Sequence, residues 1–343
     1  MNKPLLVVKF GTSAITNAQG VPDDQVIDRI ATELSQLHSD YSLVLVSSGA
    51  VGAGKSFISN YDGRLAKRKA AAAVGNPLLI VKFKEAFAKH GFHVAQSLCE
   101  RRHFAQRELF LQLKETYQEL WANDIIPVAN ENDVISDREL KFSDNDELAT
   151  LIAAGFGAEQ LMIATEAGGL LDKDKNVVNH IKEINDEVMD LVDTRKSTLG
   201  LGGMSSKLTF AKLATKMGIK VTIFGIKMHQ GGILKAFKGE SGTTFDPQAV
   251  NLSARNKWLA SGGLTTARIV LDGGAVEALR NRKSLLAVGI KKHSGDFDKG
   301  EVVELLNEKK EVIGVARTRV SSDSLDQNKQ SLIVAHADDI AIL

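Results

Sequence analysis

Short, almost unbroken apolar runs recur along this chain, and most of them stop in a loop of glycines and hydroxyls. Leu5-Leu-Val-Val-Lys-Phe10 and Ser42-Leu-Val-Leu-Val-Ser-Ser48 are too short for helices and rich in strand formers, which predicts buried strands. The first ends in Lys9-Phe-Gly-Thr-Ser13 and the second in Ser48-Gly-Ala-Val-Gly-Ala-Gly54. Between them, Val26, Ile30, Leu34 and Leu37 keep helical spacing over 23–38. Strand, loop, helix, strand, loop is how a doubly wound sheet begins, and few other folds accept that order.

The pattern continues. The spacing predicts helices over 64–74 and 77–90, the second with Pro77 in its first turn, and another from about Phe104 to Asn123. Arg64, Lys67, Arg68 and Lys69 read as a solvated helix face. Strands are expected at 93–99, 125–130, 160–165 and 220–225; Pro127 must then sit where its missing N–H is not needed. The segment 172–192 is acidic and partly helical, 208–217 reads as a helix closed by Gly218, and 231–237 as a short helix. After about Leu252 helices give way to short alternating strands, such as Arg268-Ile-Val-Leu271, 300–306 and 312–317, which predicts a small β-barrel. The expected architecture is a three-layer αβα sandwich on a mainly parallel open sheet over 1–252, a linker over 253–263 and a β domain over 264–343.

Composition narrows the setting. Hydrophobic residues make up 43%, charged residues 25%, and the net charge is +1, so no global field draws the chain to nucleic acid or membrane. Cys99 is the single cysteine, which excludes an intrachain disulfide and suits a reducing compartment. No apolar run reaches membrane-span length, and Met1-Asn-Lys-Pro4 enters a strand at once, so no signal peptide and a cytoplasmic location are expected.

The chemistry gathers at predicted strand ends. Gly200-Leu-Gly-Gly-Met-Ser-Ser-Lys207 runs into a helix; its glycines let backbone N–H groups approach an anion, and Lys207 can reach a phosphate. It lacks the common P-loop spacing, and taken alone it equally suits a plain loop before a helix. Over 130–146 the chain turns very polar, with room for a small hairpin over 134–142. Ser143 or Asp144 can cap the following helix, but capping does not account for Asn130, Asp133, Asn145 and Asp146, at a strand end and a helix start where open parallel sheets bind ligands. Lys9, Gly11, Thr12 and Ser13, with Ser48, Gly49, Ala50 and Thr165, complete the set. Two lysines and glycine-rich nests suit a transferring phosphoryl group; the carboxylates and amides suit a small polar substrate with a cationic amine. The eight histidines are scattered, with no metal cluster and no Ser-His-Asp or Cys-His arrangement. An acceptor carboxylate would need no general base, being ionised at neutral pH with a pKa of about 4.3.

These motifs together resemble the glutamate 5-kinases of the amino acid kinase family. Val7-Val-Lys-Phe-Gly-Thr-Ser13, Ser47-Ser-Gly-Ala50, Ala72-Ala-Val-Gly-Asn76, Asn130-Glu-Asn-Asp133, Ser143-Asp-Asn-Asp146 and Gly200–Lys207 stand in that family's order. Asp272-Gly-Gly-Ala275, 285–290 and 295–300 resemble a PUA domain. The resemblance implies ATP- and Mg²⁺-dependent phosphorylation of the L-glutamate side-chain carboxylate, the first step of proline synthesis. It implies that Lys9 and Lys207 stabilise the phosphoryl group and that Asp146 holds them. Ser48, Gly49, Ala50, Asn130, Asp133 and Asn145 would bind glutamate. Lys9, Gly11, Thr12, Ser13, Thr165, Glu166, Leu201, Gly202, Gly203, Met204, Ser205, Ser206 and Lys207 would line the nucleotide site, with Mg²⁺ on the phosphates and no direct protein ligand. Feedback by L-proline and a homo-oligomer built through the kinase domain are implied as well.

The chain departs from the family pattern at Glu166, where aspartate is usual, at Leu201, where threonine is usual, and in a shortened stretch after Ser324. Over 264–343, 12 Lys and Arg balance 12 Asp and Glu, so no RNA partner is expected of the small domain. The competing readings are a sibling kinase acting on another small carboxylate and an RNA-binding or regulatory protein on a degenerate kinase fold.

Overall fold

The computed structural model describes residues 3–17, 19–100, 102–105, 107–135, 145–191, 203–226, 232–248, 267–295, 297, 299, 302–327 and 332–342. By internal contacts the chain divides into two compact units, 1–100 with 114–248, and 101–113 with 249–343.

The first unit is built on an eight-stranded sheet in the order β3-β4-β2-β1-β5-β7-β8-β6. Its strands are β1 Leu5–Phe10, β2 Ser42–Ser47, β3 His93–Cys99, β4 Ile125–Glu131, β5 Gln160–Thr165, β6 His180–Ile181, β7 Lys220–Gly225 and β8 Thr243–Phe245. From β3 through β7 every neighbouring pair is parallel; β8 runs antiparallel to β7 and carries β6 beside it. β1 lies in the middle. The chain places β2 and β4 on one side of it and then crosses to β5 and β7 on the other. That reversal makes the carboxyl end of β1 a switch point, where open α/β sheets leave a crevice.

Period-two alternation sorts β1 onto two faces. Leu6, Val8 and Phe10 join a core with α2 (Asp24–Leu37), α4 (Leu65–Ala88) and α10 (Gly232–Phe237). Helix α2 starts cleanly because Asp23 accepts hydrogen bonds from the Gln25 and Val26 amides, and it buries Ile27, Ile30, Ala31 and Leu34 on one stripe. Lys9, between two apolar residues, must point to the opposite face. That face is covered by α7 (Asn145–Phe156) and α9 (Met204–Lys216), which pack on each other and on the sheet. Tyr117 and Trp121, on α6 (Arg107–Ala122), meet Phe156 of α7 edge-on.

Helix α4 corrects the expectation of two helices: it is one helix of 24 residues with Pro77 inside it. The missing Pro77 N–H would have bonded the Ala73 carbonyl, and both residues are exposed, so solvent can take the place of that bond. The buried face, Ala72, Asn76, Leu79 and Phe83, continues past the proline without a break. Each large apolar side chain so buried contributes roughly 1.5–3 kcal/mol, enough to hold a helix through one lost bond. Pro127 lies inside β4, whose ladder to β2 begins only at Val128. The polar segment 136–144, with most of the expected hairpin and the two capping candidates Ser143 and Asp144, lies outside the described residues.

The second unit contains a five-stranded, mostly antiparallel sheet, β11-β9-β12-β13-β15, and a separate β10-β14 pair. The strands are β9 Arg268–Leu271, β10 Leu285–Leu286, β11 Ile290–Ser294, β12 Val302–Leu306, β13 Val312–Arg317, β14 Ile333–Ala335 and β15 Ile340–Ile342, around a core that includes Ile269, Leu305 and Val334. The strand pattern hid a helix here, α11 (Gly273–Arg280), started by Asp272, whose carboxylate accepts from the Ala275 amide at 2.7 Å.

Candidate active site

Two polar clusters meet at the first turn of α7. The first is ionic. Asp146 is fully buried; Lys9 Nζ, from the end of β1, lies 2.6 Å from its Oδ1, and Lys207 Nζ lies 2.9 Å from its Oδ2. Both lysines are themselves buried. Lys207 arrives from α9, which starts at Met204 with Gly203 as its cap. The helix therefore begins earlier than its apolar spacing suggests, and Ser205, Ser206 and Lys207 belong to its first two turns rather than to a preceding loop. Lys207, Leu208, Ala211, Ala214 and Thr215 form the buried stripe that aims the ammonium at α7.

Burial pushes the Asp146 carboxyl up, and the Lys9 and Lys207 charges push it down harder, so it stays below the usual carboxylate range and ionised. The two ammonium groups share the Asp146 carboxylate beside the glycine loop. A Cβ built on Gly11 would lie 3.5 Å from Lys9 Nζ, so that loop passes directly by the ammonium. Thr12 and Ser13, exposed, open the short helix α1 (Thr12–Ile15).

The second cluster is neutral. Asn145 donates through Nδ2 to Ser48 Oγ and to Asn130 Oδ1, both at 2.8 Å. Asn130 in turn donates through Nδ2 to Asn76 Oδ1 at 3.0 Å. Ser48 follows β2, and its N–H donates to the Phe10 carbonyl at 3.0 Å, tying the two loops together. Gly49 takes φ +110°, a conformation that favours glycine, at the start of α3 (Ala50–Gly54). Helices α3 and α4 touch backbone to backbone: a Cβ on Gly75 would come 1.8 Å from the Ala50 carbonyl oxygen, and one on Gly54 would come 1.9 Å from that of Ala71. Glycine at both points lets α4 press the Gly49–Ala50 amides into place and bring Asn76 alongside.

The structure thus joins Lys9, Asp146 and Lys207 in one group, and Ser48, Asn130 and Asn145 in another, linked through the neighbours Asn145 and Asp146. Asp133 lies in a turn just after β4, half-buried; beside it Asn132 Nδ2 bonds Glu100 Oε1 at 3.0 Å. Thr165 ends β5 next to β1, in register with Gly225, and Glu166 is exposed one residue further. Leu201 and Gly202 lie outside the described residues. Asn76 escaped the sequence reading of the site, although a signal was there: an amide at a helical position whose neighbours at spacing four and three, Ala72 and Leu79, are core residues. Among the described residues no group of three or more His, Cys, Asp or Glu is arranged to hold a metal ion, and no helix is long and apolar enough to cross a membrane.

Residues 4–225 match the amino acid kinase family. The chain belongs to that family. Residues 267–335 of this amino acid kinase match the PUA domain. Among its relatives, the glutamate 5-kinase of Pasteurella multocida (strain Pm70) is 34% identical over 363 aligned positions, covering 98% of each chain. The glutamate 5-kinase of Synechococcus elongatus is 37% identical over 313 positions, covering 88% of this chain and 85% of the relative. Among solved structures, a carbamate kinase from Giardia lamblia bound to AMP-PNP superposes with a TM-score of 0.50 at 17% identity, over 72% of this chain and 99% of that one. That likeness concerns the fold.

Proposed function

We propose that this amino acid kinase transfers the γ-phosphoryl group of ATP to the side-chain carboxylate of L-glutamate, giving γ-glutamyl phosphate and ADP. A carboxylate oxygen attacks phosphorus in line while the bond to the β–γ bridging oxygen breaks. The acceptor is ionised already, with an ordinary pKa of about 4.3, so no side chain has to take a proton. What the protein must supply is position and charge. Lys9 and Lys207 meet the charge spread over the moving phosphoryl oxygens, and Asp146 keeps both ammonium groups in place before the substrates arrive.

Ser48, the Gly49 and Ala50 amides, Asn130, Asp133 and Asn145 hold glutamate. Gly11, Thr12, Ser13, Thr165, Glu166 and 201–206 line the nucleotide. Asp146 is already taken up by two ammonium groups, which fits a Mg²⁺ that enters on the nucleotide phosphates, neutralising their charge, without a carboxylate ligand from the protein. We assign 1–252 to the kinase domain, 253–263 to a linker and 264–343 to the PUA domain. The enzyme is placed in the cytoplasm, in proline synthesis, as a homo-oligomer with L-proline as feedback inhibitor.

The observation that carries this reading is the convergence of two lysines, far apart in sequence, on one buried carboxylate, one residue from an amide cluster suited to an amino acid. Incubation with ATP, Mg²⁺, L-glutamate and hydroxylamine tests it. A hydroxamate is expected; none from folded protein would overturn it.

A further inference from the structure

The amide cluster has a direction, and one backbone group sets it. The Glu131 N–H can only donate, and it meets the Asn130 side chain at 2.9 Å, so the atom it faces is the oxygen. The other Asn130 atom is then the NH₂ group, and the Asn76 atom it reaches at 3.0 Å is an oxygen. Asn145 meets the same Asn130 oxygen at 2.8 Å and must do so with its nitrogen, whose other N–H goes to Ser48 Oγ, also at 2.8 Å. Every orientation along Asn76, Asn130, Asn145 and Ser48 follows from that single amide.

The chain of bonds leaves a defined remainder. Asn145 Oδ1 is an acceptor and Asn76 Nδ2 a donor; both atoms are buried and neither has a hydrogen-bond partner among the described residues. Ser48 already accepts from Asn145, so its O–H remains to donate elsewhere. A buried acceptor with both its own N–H groups spent suits an ammonium, and a hydroxyl with its proton unspent suits a carboxylate. These are the two charged ends on the α-carbon of an amino acid.

We propose that Asn76 is a positioning residue for amino-acid recognition. By accepting from Asn130 it holds the Asn130 amide plane, which keeps Asn145 turned with its carbonyl oxygen, and not its N–H groups, left for the substrate ammonium. Asn76 reaches this place because Gly75 brings α4 into backbone contact with Ala50. Without Asn76, the Asn130 NH₂ loses its buried acceptor and only the Glu131 amide still holds the Asn130 plane, so Asn145 is held less firmly. The proposal rests on the glutamate kinase reading and assigns a selectivity within it.

The test compares Asn76→Ala and Asn76→Asp with the wild type. The measurements are kcat, the KM values for glutamate and ATP, and competitive inhibition by glutarate, which is glutamate without its amine. Asn76→Ala is expected to raise the glutamate KM by about tenfold or more, to leave the ATP KM within about twofold, and to lower kcat by less than it raises KM. The preference for glutamate over glutarate should narrow by about tenfold. Asn76→Asp keeps an oxygen facing Asn130 and should recover most of that preference. Should Asn76→Ala fail to fold, Asn76→Ser, with a shorter acceptor, carries the same comparison. An unchanged glutamate-to-glutarate preference in a folded variant overturns the proposal, and so does a rise in both KM values together. A wild type that makes no hydroxamate from glutamate instead removes the reading on which the proposal stands.

Discussion

Two polar clusters begin at adjacent residues of α7, and they are built on opposite principles. From Asp146 grows a group of full charges, two ammonium groups on one carboxylate, all buried. From Asn145 grows a chain of neutral groups that carries only direction: which atom donates and which accepts. Buried charges are tolerable only when paired, so the ionic group keeps its shape before any substrate arrives, with two ammonium groups held where they can meet a phosphoryl group. The amide chain has no charge to spare; it selects through what it leaves unspent, the Asn145 oxygen as acceptor and the Ser48 hydroxyl as donor. One kind of cluster serves the transition state and the other serves recognition, and the helix start places them one residue apart.

That contrast can be broken at several points. Asp146→Asn keeps the shape and leaves two buried ammonium groups facing a neutral amide; a stability loss of about 3–5 kcal/mol in denaturant midpoints is expected. A loss no larger than that of a surface substitution would mean the charges are not held by one another. Gly75→Ala drives a methyl into the Ala50 carbonyl oxygen, 1.8 Å away, so α4 and α3 must separate, costing about 1–3 kcal/mol. Because the shift falls on the amide side alone, the glutamate KM should rise while the ATP KM stays put. Asn130→Ala cuts the chain in its middle, leaves the Asn145 NH₂ and the Asn76 oxygen without their buried partner, and should raise the glutamate KM by about tenfold with a loss of stability of about 1–3 kcal/mol; an effect on ATP binding of the same size would merge the two clusters into one.

The smallest expected effect is in acid. Asp146 has its folded-state pKa below the ordinary value of 3.8, so its contribution to stability is complete above that value and is lost as pH falls through the lower, folded one. The stability gap between wild type and Asp146→Asn should therefore be flat from about pH 5 to about pH 8 and close only below pH 3.8. A gap that closes near neutral pH would show that something other than this carboxylate is titrating.

Much of the frame was legible in the sequence because its signals are local. The strands Leu5–Phe10, Gln160–Thr165 and Lys220–Gly225 are mostly apolar runs bounded by turns, and they stand where the runs predicted, as does the more polar His93–Cys99. Pro77 misled because its cost depends on which side of the helix it faces, and that side is decided by packing against α3 and the sheet. The α9 start was set too late for a related reason: Met204, Ser205 and Ser206 give no apolar stripe, so only Gly203 marks the turn. The meeting of Lys207 with Asp146, 61 residues apart, is invisible to any spacing rule. It follows from the shared sheet face on which α7 and α9 pack, and for this pair it was the resemblance to known kinases, not residue spacing, that pointed to it. Asn76 stood in the motif Ala72–Asn76 of the same resemblance, but the expected break between two helices at that point hid the continuous buried face it shares with Ala72 and Leu79, and its bond to Asn130 shows its place.

The central claim, that the two lysines held by Asp146 act on the moving phosphoryl group and not on substrate binding, is tested most directly by the turnover of Lys207→Met at saturating ATP and glutamate. The account predicts a folded protein with kcat lower by about 10²-fold or more and a glutamate KM within a few-fold of wild type. A kcat near that of wild type, or a loss carried entirely by KM, would contradict it.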